Sequence, residues 1–154
     1  MNDTHVAGLI QILLLVLFLA VAIFFLLTQV RTLDSIRPEN RCMSPGQVWL
    51  QLIPLFGLFY QFSVIERISD SIRNELNSPT GDSIFAEETI PSNHRPTYSV
   101  ARSYAILFCI SIIPFPLLKE LASLAGLVLW VVYWVQLAGY KKRIRERIQL
   151  LGGQ

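Results

Sequence analysis

Histidine and cysteine are nearly missing from this chain, with two of each among 154 residues. His5 and His94 lie far apart in sequence and form no helix-spaced pair of the H-E-x-x-H kind, so the pattern of a zinc hydrolase is absent. Cys42 and Cys109 make no C-x-x-C and are poorly placed to bridge. No G-x-G-x-x-G, phosphate-binding loop or G-x-S-x-G occurs either, and Glu87 and Glu88 are a pair in sequence only. No cofactor, metal or catalytic residue is expected, and the chain is read as noncatalytic. Charge is scarce as well, at 16% of residues with a formal net of +2, which argues against a nucleic-acid partner.

Apolar runs take the place of charge. Residues 9–27, LIQILLLVLFLAVAIFFLL, contain Gln11 as their one polar side chain. At 1.5 Å per residue such a helix covers the roughly 30 Å hydrocarbon core of a bilayer. A cleaved signal peptide would carry a basic leader, a shorter core and small residues at a cleavage site, whereas MNDTHVAG contains Asp3 and no Lys or Arg. The first helix, about 9–30, is therefore expected to stay in the mature protein. Further apolar segments run over about 48–65, 100–118 and 121–140. Only Lys119 and Glu120 separate the last two, which predicts an antiparallel hairpin with Pro114 and Pro116 at its turn.

The second segment invites two topologies. Ser44, Pro45 and Gln47 form a helix start of the capping-box type, and Trp49 stands where interfacial aromatics collect. From Val48 to Ile65 a continuous helix is just long enough to span, and hydropathy favours that crossing. Charge favours the other picture. With four crossings and the C-terminus inside, Arg31, Arg37, Arg41 and Lys119 lie outside, against nine basic residues inside. If residues 48–65 dip in and return, or lie in the interface, the balance becomes twelve to one, which the positive-inside rule prefers. Gln51, Pro54, Gly57 and Gln61 are the polar and shape-breaking residues of this segment and form a candidate polar membrane site. Ten residues apart, Gln51 and Gln61 do not make one helical stripe.

Beyond this segment IERISDSIRNEL places Ile65, Ile68, Ile72 and Leu76 on one face of an amphipathic helix. Residues 77–97 are rich in turn formers and read as a polar loop. The C-terminal helix, about 141–151, carries Lys141, Lys142, Arg143, Arg145 and Arg147, a candidate surface for anionic lipid headgroups or a plain topology anchor. In the last span Ala122 and Gly126 form a small-xxx-small pair, and Trp130 and Tyr133 continue that face, which is expected to pack on another helix.

Two stretches, RPENRCMSPGQVWLQLIPLFGLFYQFSVIERISDSIRNE and LAGLVLWVVYWVQLAGY, resemble a family of small multi-helix bacterial membrane proteins with similar PENR-x-M-x-PG-x-VWLQLIPLF and YW segments and no assigned activity. The resemblance implies a multi-pass protein of the bacterial inner membrane and transfers no site residue. The expected fold is an all-α membrane bundle of four hydrophobic helices in one domain, the second crossing, re-entrant or interfacial, with the C-terminus in the cytoplasm. The expected role is a noncatalytic subunit that scaffolds a homo-oligomer or larger membrane complex in contact with lipid. The alternative is a channel or transporter component with a pore lined near Gln51, Pro54, Gly57 and Gln61.

Overall fold

The computed structural model describes residues 3–78, 90–91 and 93–152, and among these all regular secondary structure is helical. Four α-helices form: α1 (Asp3–Asp34), α2 (Phe56–Asn77), α3 (Tyr98–Ser111) and α4 (Pro116–Gly152). Two 3₁₀ helices, Pro38–Asn40 and Pro45–Leu52, join α1 to α2. Most of the polar loop 77–97, with Glu87 and Glu88, lies outside the described residues.

The helices stop where their sequences stop supplying donors or free ends. Past Asp34 the chain tightens through Ser35 and Ile36, whose N–H groups reach Thr32 and Leu33 carbonyls, and Arg37 precedes a proline that disfavours further helix. Arg41 folds back and donates from Nη2 to Asp34 O at 3.1 Å and from Nε to Ile36 O at 2.7 Å, placing a cation on the carbonyl end of α1. Arg147 of α4 does the same for α2, with Nη1 on Leu76 O at 2.6 Å and Nη2 on Ser78 O at 3.3 Å.

Residues 48–65 are not one helix. The 3₁₀ helix has the expected start, with Ser44 N–H donating to Gln47 Oε1 at 3.2 Å, but it ends at Leu52. The chain reverses over Ile53, Pro54 and Leu55, and α2 begins at Phe56. Pro54 cannot donate, and Leu55 turns the corner at φ 62°, a region that non-glycine residues seldom enter. Gly57 N–H then reaches Ile53 O at 2.7 Å and closes the bend. The expectation of a continuous spanning helix is thus corrected to a proline-cornered hairpin.

The third apolar segment is shorter than its hydropathy suggests. α3 has 14 residues, about 21 Å of helix, which is less than a bilayer core. Its turn occupies 112–115, and Lys119 and Glu120 belong to the first turns of α4, not to the connection. The basic C-terminal segment is likewise no separate helix but the continuation of the 37-residue α4. Two helices, within His5–Asp34 and Pro116–Gln149, are long and apolar enough to cross a membrane.

Named contacts fix the directions of the helices. Phe25 meets Trp130 at 5.1 Å and Thr28 accepts from Trp134 Nε1 at 2.9 Å, so numbers rise together and α1 runs parallel to α4. Tyr104 stacks on Tyr133 at 5.5 Å while Leu107 lies beside Gly126, so α3 runs antiparallel to α4. Ser69 meets Thr97, and Glu66 meets Arg95, which sets the C-terminal half of α2 against the start of α3. The ends of α1, α2 and α4 and the beginning of α3 consequently gather at one pole, the head. Its core holds Leu33, Ile36, Met43, Ile68, Ile72 and Ile144, all buried. Each large apolar side chain buried there contributes roughly 1.5–3 kcal/mol.

The opposite pole is bare. Leu9, Leu13, Leu15 and Phe18 of α1 are more than three-fifths exposed, and Leu117, Leu121 and Leu124 of α4 are as exposed. The two hairpin tips add Leu55 and Phe59 on one side and Ile112 and Phe115 on the other. A helix from the core of a water-soluble domain buries its apolar side chains. These helices do the reverse.

Candidate functional site

The residues of interest lie where the bare pole meets the head. At this level α1 changes from an apolar run to Thr28, Gln29, Arg31 and Thr32. Thr28 and Thr32 donate to the carbonyls four residues earlier, at 3.0 and 2.8 Å, so their hydroxyls are satisfied within the helix. Gln29 faces inward and is fully buried. Its Oε1 accepts from Gln51 Nε2 at 2.7 Å, and Gln51 Nε2 also reaches Val48 O at 3.1 Å. The Tyr133 hydroxyl faces Gln29 without a well-aligned hydrogen bond, and Gln29 Nε2 and Gln136 Oε1 also lack partners. Within this polar cluster the Gln51–Gln29 bond ties the first hairpin to α1.

Of the four residues proposed for a polar membrane site, Gln51 alone joins it. Gln61 donates to Leu58 O of its own helix at 3.0 Å. The geometry turns the two glutamines to different partners instead of toward one path. Pro54 and Gly57 shape the bend. A Cβ at Gly57 would fall onto the Gln51 carbonyl, with Gln51 C only 2.9 Å away, so glycine is what allows α2 to start so close to the 3₁₀ helix.

The α4 packing face is occupied inside the chain. Ala122 and Gly126 are buried, and a Cβ on Gly126 would come within 3.3 Å of Leu107 Cβ, so the small residues serve the approach of α3. Trp130, Tyr133 and Trp134 surround Phe25 of α1 at 5.1, 5.8 and 5.8 Å, with Tyr104 adding a fourth ring at 6.5 Å. Ring pairs at such separations contribute roughly 0.5–1.5 kcal/mol each beyond the area they bury.

Among the basic residues of the α4 extension, Arg147 is turned inward onto the end of α2 and so differs from the headgroup role expected of it. Lys142 is exposed and pairs with Glu146 at 3.6 Å, and Arg145 is exposed. Lys141 is half-buried.

Sequence reasoning passed over the polar lock of the head. Glu75, on the apolar side of α2, is 4% exposed at its side chain and receives Arg37 Nε at 3.0 Å on Oε1. On Oε2 it receives Arg37 N–H at 3.1 Å and Asn40 Nδ2 at 2.6 Å. The PEN turn after α1 is thus a cradle for one carboxylate. Ser71 extends the seam by accepting Cys42 N–H at 2.8 Å. The available signal was the position of Glu75, three residues after Ile72 and seven after Ile68, on the face otherwise assigned to the core.

A second charged group flanks α2 and α3. Arg95 donates to Glu66 Oε1 at 2.7 Å. Its Nε forms an ion pair with Asp70 Oδ1 at 3.0 Å, as Arg73 does at 3.2 Å, although neither contact is aligned as a hydrogen bond. The hydrogen bond to Glu66, ahead of the charges of Asp70 and Glu66, raises the Arg95 pKa against the opposing effect of desolvation, so it stays a cation. Arg95 and Arg102 lie over Tyr98 at 5.2 and 5.8 Å from the ring centre.

No group of three histidine, cysteine or acidic side chains among the described residues is arranged to hold a metal, and both cysteines are free. The chain matches no protein-family model, no curated protein and no solved structure.

Proposed function

We propose that this chain is a noncatalytic integral membrane subunit, anchored by α1 and by two proline-cornered hairpins, whose head on the cytoplasmic side supports assembly of a larger membrane complex. The observation that carries the reading is the segregation of surface chemistry. Apolar side chains stay exposed along α1, along the first half of α4 and at both tips, while every Lys and Arg except Lys119 lies in the head half of a helix or in a connection at the head. Lipid is the medium that makes such a surface favourable.

In this reading α1 crosses the bilayer and the two hairpins enter from the head side without delivering any loop to the far side. Both tips are suited to lipid because each uses proline to reduce the number of backbone donors. Local bonds, Phe56 N–H to Pro54 O at 2.7 Å and Phe115 N–H to Ile113 O at 2.8 Å, satisfy donors that remain. This topology keeps Arg31, Arg37 and Arg41 with the other head cations, in keeping with the positive-inside tendency. The resemblance to small bacterial inner-membrane proteins supports the same location.

The scaffold role rests on what the chain leaves uncovered. With the small-residue face of α4 filled by α3, the long apolar arm of α1 is the surface left for another helix or a second copy. Purification in mild detergent followed by chemical crosslinking and reconstitution tests this. A discrete assembly without ion conductance is expected. A strictly monomeric protein, or a flux that Gln51→Leu alters, would contradict it.

A further inference from the structure

We infer that the cleft between α2 and α3 is a binding site for the headgroup of an amine-bearing phospholipid, of the phosphatidylethanolamine class. The inference rests on the membrane placement proposed above and adds a ligand to it. The cleft, about 150 Å³, is lined by Phe62, Ile65, Glu66, Tyr98 and Arg102. Its position is set by both helices at once. α2 has no charged residue from Phe56 to Ile65 and its first is Glu66; α3 has its last at Arg102 and none through Ser111. The two helices therefore change from apolar to charged at one level, which is the depth of lipid headgroups.

The lining matches a zwitterion in order of depth. Arg102 is exposed and spends Nη1 on Tyr98 Oη at 3.1 Å, leaving the rest of its guanidinium fork for a phosphate. Glu66 gives Oε1 to Arg95, and among the described residues Oε2 has no donor, so it can accept from a primary ammonium. Phe62 and Ile65 supply an apolar floor for the glycerol and first acyl carbons. A quaternary choline has no N–H to give Glu66, and a glycerol headgroup brings no cation.

The test is native mass spectrometry of the full chain released from nanodiscs containing equal phosphatidylethanolamine, phosphatidylcholine and phosphatidylglycerol. One retained phosphatidylethanolamine is expected, favoured about tenfold over phosphatidylcholine, the ratio that one charge-assisted hydrogen bond supplies. Glu66→Gln should remove that preference while phospholipid still binds. Arg102→Gln should lower retention of all three lipids, and Arg102→Lys should restore part of it. Because Arg102 is exposed, its variants keep the test decisive if Glu66→Gln fails to fold. Soluble phosphoethanolamine should compete poorly; competition equal to that of the lipid would overturn the lipid assignment. Retention indifferent to headgroup, or unchanged in both variants, would overturn the site. A chain that never enters nanodiscs would instead refute the membrane reading beneath it.

Discussion

Gln51 and Gln29 meet amide to amide at 2.7 Å, a bond that pins the first hairpin to α1 at the level where α1 turns polar. Gln29 is fully buried and Gln51 is half-buried. Gln51→Leu should therefore cost about 0.6–2 kcal/mol, the range for polar contacts between membrane helices. Thermal unfolding in detergent measures it. Gln29→Leu should cost a similar amount, and the double variant less than the sum, since each single change strands the other amide.

The Glu75 carboxylate and its partners form the most buried ionic contact of the head. A carboxylate that is 4% exposed and holds three donors from Arg37 and Asn40 cannot lose its partners cheaply. Arg37→Ala should destabilise the head by about 3–5 kcal/mol, because a buried charge is left without its cation. Glu75→Gln should cost less than Arg37→Ala, since the amide oxygen still accepts Asn40. Equal melting temperatures for wild type and Arg37→Ala would refute the lock.

Gly57→Ala should open the first hairpin. Its new methyl falls on the Gln51 carbonyl, and backbone does not yield as a flexible side chain does. A loss of about 1–3 kcal/mol, typical of overpacking, is expected, with faster proteolysis near residues 50–56. Gly46→Ala is the control, because nothing lies within 4 Å of a Cβ there.

Leu55 separates strain from anchoring. Its φ of 62° costs about 1–3 kcal/mol that glycine would not, yet its side chain is 76% exposed at a tip. Leu55→Gly should raise the melting temperature in detergent and reduce the depth to which the tip of the full chain enters liposomes. A fall in melting temperature would show that the turn is not strained.

Much of this architecture is legible in residue order, and the failures have physical causes. The α1 span, the Ser44 start, the core face of α2 and the proline turn of the α3–α4 hairpin follow from periodicity and from what proline forbids. The break in residues 48–65 does not, since hydropathy sums side chains and is blind to Leu55 taking a positive φ. The α3 segment misleads in a similar way: ISIIPFPLL is apolar but for Ser111, and the helix ends at that residue. Among site residues, the inward turn of Gln51 and the α4 packing face have sequence signals. Glu75 has only its place on the core face of α2 as a signal, and Arg147 has none, because a basic residue beside a membrane looks the same in sequence whether it faces lipid headgroups or a carbonyl in its own fold.

The central claim is that the head loops share one side of a bilayer into which the apolar pole projects. Single cysteines at Glu39, Asn93 and Lys142, placed in a Cys42→Ser, Cys109→Ser background, test it with a membrane-impermeant thiol reagent on oriented vesicles. All three should label from the same face, and a cysteine at His5 from the other. Labelling of positions 39 and 93 from opposite faces would mean that the first hairpin crosses after all, and would contradict the account.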